Sequence, residues 1–134
     1  MLFYNKAIYT GNLDSDGIPM LNYHGSIGVQ YNPIAISQWG LGNYNLYKKN
    51  NSSENYKKFI SCSDWLLENL VKNNKGLYVW MHNFDWEYKN TLRAPWYSGL
   101  AQGQGLSVLV RAWKETGDEK YKNASYRVFK SLKI

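Results

Sequence analysis

The run from Pro95 to Ala112, PWYSGLAQGQGLSVLVRA, holds the residues best suited to chemistry in this chain. A proline and two aromatics open it, two glutamines follow among small residues, and a long apolar segment closes it. Each interior glycine costs a helix about 1 kcal/mol relative to alanine. Gly99, Gly103 and Gly105 therefore predict a helix whose first half approaches another backbone or a ligand closely. Trp96, Tyr97, Gln102 and Gln104 stand at that end. Aromatic faces match the C–H faces of sugar rings, and neutral amides match hydroxyls. Gln102 and Gln104 lie two apart and point about 200° away from each other on a helix, so one of them at most faces a given ligand.

Other candidates are scattered. Tyr23, His24 and Tyr31 precede a first helix and can overhang a cleft; Gln38 and Trp39 lie within it. His82, Asp85, Trp86 and Arg93 fall in a connector, where functional loops often lie. Arg93 suits a carboxylate clamp, against simple surface charge. Each candidate also has a plain structural use: core packing for Trp39 and Trp96, helix–helix hydrogen bonding for the glutamines. The two histidines lack metal-ligand spacing, so neither a metal nor a cofactor is expected. Asp14-Ser15-Asp16-Gly17 lacks the later ligands of a calcium loop and reads as a turn.

The elements that must position these groups are helices. With 134 residues the chain makes at most one ordinary domain, and 44% hydrophobic content gives it a core. A net charge of +6 suits an acidic partner, but the basic residues are dispersed and no nucleic-acid motif appears. The N-terminus lacks a signal-peptide pattern, and no run approaches the roughly 20 apolar residues of a membrane span. Location stays open, with the cytoplasm implied for a bacterial cell. The single Cys62 excludes an internal disulfide and reads as a buried helical residue. Residues 1–31 predict an irregular arm with an edge strand at Ile18–Leu21, since Pro19 disfavours a central position.

A helix starts at Pro33 and is apolar on nearly all sides, hence buried. Ser53 is expected to cap a second, amphipathic helix that carries Leu70 and Val71 and ends at Asn74–Gly76. A short strand is expected at Leu77–Trp80, then a buried helix from near Pro95 to Glu115. Gly117 and Asp118 separate it from an amphipathic fourth helix. Tyr56 and Tyr121, Glu54 and Glu119, Gly40 and Gly105, and Leu41 and Leu106 are each 65 positions apart. The chain thus repeats a buried-plus-amphipathic hairpin, the unit of α/α toroids. Two such hairpins make an arc, so the expected fold is all-α: a partial toroid over 32–134 behind the arm at 1–31.

Tyr31-Asn32-Pro33-Ile34-Ala35-Ile36-Ser37-Gln38-Trp39-Gly40-Leu41-Gly42, followed by Trp96-Tyr97-Ser98-Gly99-Leu100-Ala101-Gln102-Gly103-Gln104, resembles the D-glucuronyl C5-epimerase family. The likeness is to its C-terminal α/α-toroid domain, and covers roughly residues 12–132. It implies an isomerase that converts glucuronic to iduronic acid within a polysaccharide, as in heparan sulfate biosynthesis. Tyr31, Gln38, Trp39, Arg93, Trp96, Tyr97, Gln102 and Gln104 would then bind substrate, with the proton-transfer residues unassigned. In that family the chain continues past the equivalent of Ile134 and contributes a Glu-Tyr-Pro segment that this sequence lacks. The expectation is therefore an incomplete catalytic domain. A glycan-binding or assembly module is the alternative. A toroid hydrolase or lyase is a further one, although the hydrolase pair of carboxylates about 5–10 Å apart finds few acids on the inner helices. Trp39, Tyr44, Leu106, Leu109 and Trp113 should leave an apolar face that drives self-association or recruits a complementing polypeptide.

Overall fold

The computed structural model describes residues 3–87 and 91–133. Four helices carry the fold: α1 (Pro33–Asn50), α2 (Ser53–Glu68), α3 (Gly99–Thr116) and α4 (Glu119–Ser131). They form two hairpins, α1–α2 and α3–α4, joined through packing of α1 on α3. Short strands precede and separate the hairpins, so the chain is mostly α with a short strand region at its N-terminus.

Local chemistry sets the helix ends. Asn32 accepts from the Ile34 and Ala35 amides, and Pro33 needs no partner for the N–H it lacks. Ser52, one residue before the expected cap, accepts from Asn55 N. Asp118 caps α4 as its sequence predicts, and Gly117 ends α3 in the left-handed conformation at φ 70°.

Two boundaries differ from expectation for tertiary reasons. Helix α2 stops at Glu68, so Leu70 and Val71 leave it. The Leu66 carbonyl, which would accept from Leu70, instead accepts from the Trp80 indole at 2.8 Å. Leu70–Lys72 (β4) then pairs antiparallel with Tyr78–Trp80 (β5), and Asn73 closes the turn through the Lys75 and Leu77 amides. Helix α3 starts at Gly99 rather than near Pro95, because Trp96 exchanges both backbone hydrogen bonds with His82 and is held extended.

The arm departs as well. A 3-10 turn at Tyr4–Ala7 precedes β1 (Asn12–Leu13), β2 (Pro19–Asn22) and β3 (Val29–Gln30), and β2 is the middle strand, not an edge. Pro19 is tolerated as the first residue of that strand; Leu21 and Asn22 make the pairing to β3. The Asp14 turn forms as read: its carboxylate accepts from the Asp16 and Ile18 amides, and Gly17 sits at φ 81°.

The core runs along both hairpins through Ile36, Phe59, Leu66, Trp80, Val108, Leu109, Ala112 and Val128. Close approach explains three helical glycines, Gly42 among them, whose side chain would strike the backbone of Phe3 and Ala7. A side chain at Gly40 would strike Cys62, and one at Gly105 would strike the Trp80 ring. Gly99 and Gly103 face open space, so the expected close approach holds for Gly105 alone. Trp39, Tyr44 and Leu109 are buried, which removes them from the expected exposed face. The second hairpin instead exposes Val110, Trp113, Tyr126 and Phe129 along a groove of about 240 Å³.

Candidate functional site

The approaches to α1 and α3 lie beside the end of α2 and a ribbon formed by residues 81–87 and 91–97. There a pocket of about 290 Å³ opens. Tyr31 from the approach to α1, Trp65 and Asn69 from the end of α2, Trp80 from β5, and Asn83 and Pro95 from the ribbon line it. The Tyr31 and Trp65 rings stand 5.3 Å apart. Tyr31 donates to Asp14 at 2.6 Å, and this bond, burial and the nearby acids push its hydroxyl up to about 12. Asn69 donates to the Trp65 carbonyl, which leaves its own carbonyl oxygen for the pocket edge.

Behind the ribbon lies a cluster of rings. Trp96 stacks on His82 at 3.8 Å and 6°, with Phe84 edge-on to both. Tyr23 packs on Phe84 and Trp86 and accepts from Asn32. His82 is fully buried, and neither ring nitrogen has a partner among the described residues. Burial holds the imidazole below its ordinary value, and hence neutral at pH 7.

The predicted residues do not converge on one constellation. Tyr31 lines the pocket, and Trp96 adjoins it with its indole donating to the Phe84 carbonyl. Tyr97 is exposed. Arg93 pairs with Asp85 at 3.2 Å, and Asp85 also accepts from the Ala94 amide; the amide first and the guanidinium second hold that carboxyl low. Gln38 and Trp39 line a separate hollow against the arm, beside Tyr9 and Leu21. Gln102 is buried where α3 meets β5 and α4. It accepts from Trp80 N at 3.0 Å and donates to the Tyr78 carbonyl and Ser131 Oγ. Gln104 is half-buried, and its carbonyl oxygen lacks a partner among the described residues. His24 is exposed, at φ 61°.

Sequence reasoning passed over Trp65, Asn69 and Asn83. Trp65 lay inside the expected second helix, where nothing marked it as a site residue. The other two needed the early end of α2 and the ribbon, neither of which leaves a periodic signal. Among the described residues, no three His, Cys, Asp or Glu side chains gather as a metal site. Among the same residues, no helix is long and apolar enough to cross a membrane.

The described residues thus form two helical hairpins beside a pocket lined by rings and amides. Residues 72–134 match the family model described as D-glucuronyl C5-epimerase C-terminus. The D-glucuronyl C5-epimerase of Caenorhabditis elegans is 39% identical over 77 residues, which is 57% of this chain and 12% of that protein. The chain thus spans a small part of this curated relative. No solved structure matches. Over residues 72–134, which carry β5, α3 and α4, the chain is thus similar to the C-terminal domain of the D-glucuronyl C5-epimerases.

Proposed function

We propose that this chain is an epimerase-like domain that binds a uronic-acid polysaccharide, as one arc of an α/α toroid around the sugar. The observation that carries this reading is the family match over 72–134, which includes the whole Trp96–Gln104 segment at the head of α3. The pocket beside that head, walled by rings and edged by amides, supports it.

Inversion at C5 of glucuronic acid needs proton-transfer groups on both faces of the ring and donors for the developing enolate. Among the described residues the pocket gathers no such pair: its one titratable side chain, Tyr31, is hydrogen-bonded to Asp14. Binding without turnover by this chain alone is therefore the favoured form of the reading.

The test pairs two measurements on the 134-residue chain. Titration with a glucuronic-acid polymer should show saturable binding. Incubation with the same polymer in heavy water should leave C5 free of deuterium. Absence of binding would contradict the proposal; deuterium at C5 would show that the chain carries the epimerase chemistry itself.

A further inference from the structure

The pocket at the inner-helix starts has a charge preference that the family match does not supply. None of its eight lining side chains is charged. Behind Tyr31 sits the Asp14 carboxylate. Burial works against that charge, but hydrogen bonds from Tyr31 and the Ile18, Asp16 and Gly17 amides outweigh it and keep Asp14 ionised. Across Trp65 lies a second cleft lined by Asp16, Asp64 and Glu68. Lys120 reaches Asp64 at 4.0 Å; Asp16 and Glu68 have no ion-pair partner among the described residues. The pocket thus has neutral walls with acids behind two of them. A carboxylate entering it would meet repulsion and no cation.

The remaining chemistry suits a neutral ring. The Tyr31, Trp65 and Trp80 rings line the pocket, and the Asn69 and Asn83 carboxamides can accept from and donate to hydroxyls. The volume of about 290 Å³ lies at the small end of ligand sites, enough for a single ring. We infer that this pocket is a subsite for one uncharged pyranose unit of the polysaccharide, and that the uronate unit sits outside it. This rests on the reading of the chain as a polysaccharide-binding domain.

Calorimetric titration of the full chain with two trisaccharides tests the subsite. One is triglucuronate; the other carries glucuronate flanked by two glucose units. The mixed trisaccharide should bind at least tenfold tighter. Asn83 is exposed on the ribbon, so its variants should keep the wild-type near-UV dichroism. Asn83→Ala should remove most of the tenfold preference. Asn83→Lys should turn the preference toward triglucuronate. Equal affinities, tighter triglucuronate binding by the wild type, or a preference untouched by both variants would overturn the subsite and leave the polysaccharide reading standing. No binding of either sugar would overturn that reading, and the subsite with it.

Discussion

At the residue scale, two buried side chains bear different burdens. Gln102 joins three elements by satisfying Trp80 N, the Tyr78 carbonyl and Ser131 Oγ. Gln102→Leu leaves the first two without their partner, and each orphaned buried group costs about 1–3 kcal/mol. We predict a loss of about 2–4 kcal/mol in urea unfolding; a loss near zero would mean that the carboxamide is dispensable. His82 has the opposite character, since its ring nitrogens are unpartnered and its role is to stack on Trp96. Its folded value lies below the ordinary 6.5, so the unfolded chain binds a proton more readily than the native one. Stability from this site is present above about pH 6.5 and declines as pH falls from there through the depressed value. His82→Phe should flatten the fall in unfolding midpoint between pH 7 and pH 5. Equal slopes for the two proteins would contradict the assignment.

At the element scale, the hairpins meet through a small polar clamp and a close-packed seam. Glu115 on α3 accepts from Tyr44 at 2.8 Å and from Lys48 at 3.1 Å, both on α1. Burial alone would raise the Glu115 carboxyl, but these two donors hold it low, while burial and the carboxylate push Tyr44 up to about 12. Glu115→Gln should cost about 1–2 kcal/mol, read from unfolding at pH 7. On the seam, Gly105→Ala should destabilise by about 1–3 kcal/mol, because its methyl meets Trp80. Gly103→Ala meets nothing within 4 Å and should stabilise by about 0.5–1 kcal/mol. Equal effects at the two glycines would contradict the packing. These contrasts mark what the sequence could disclose. Periodicity, Pro33 and the Gly117–Asp118 pair disclosed the four helices and the repeat. They could not disclose the end of α2, which depends on an indole 14 residues away taking the Leu66 carbonyl. For the same reason the sequence yielded Tyr31 but not Trp65, Asn69 or Asn83, since the pocket forms only once β4 and the ribbon fold back.

At the scale of the whole molecule, two surfaces compete to explain what the chain binds. The groove between α3 and α4 exposes Trp113, Tyr126 and Phe129, with Lys122 over the Trp113 ring. An apolar face of this kind usually meets protein. We expect sedimentation velocity to show association at micromolar concentration, weakened by Phe129→Lys; a monomer at all concentrations would contradict this. The pocket at the inner-helix starts is the surface assigned to polysaccharide. The six tryptophans separate the two surfaces, since Trp65 and Trp80 line the pocket and Trp113 lines the groove. The most direct measurement is therefore an NMR titration of the indole N–H signals with a uronic-acid oligosaccharide that also contains neutral units. The account predicts saturable shifts at Trp65 and Trp80 with Trp113 unmoved. Shifts confined to Trp113, or none at any indole, would contradict it.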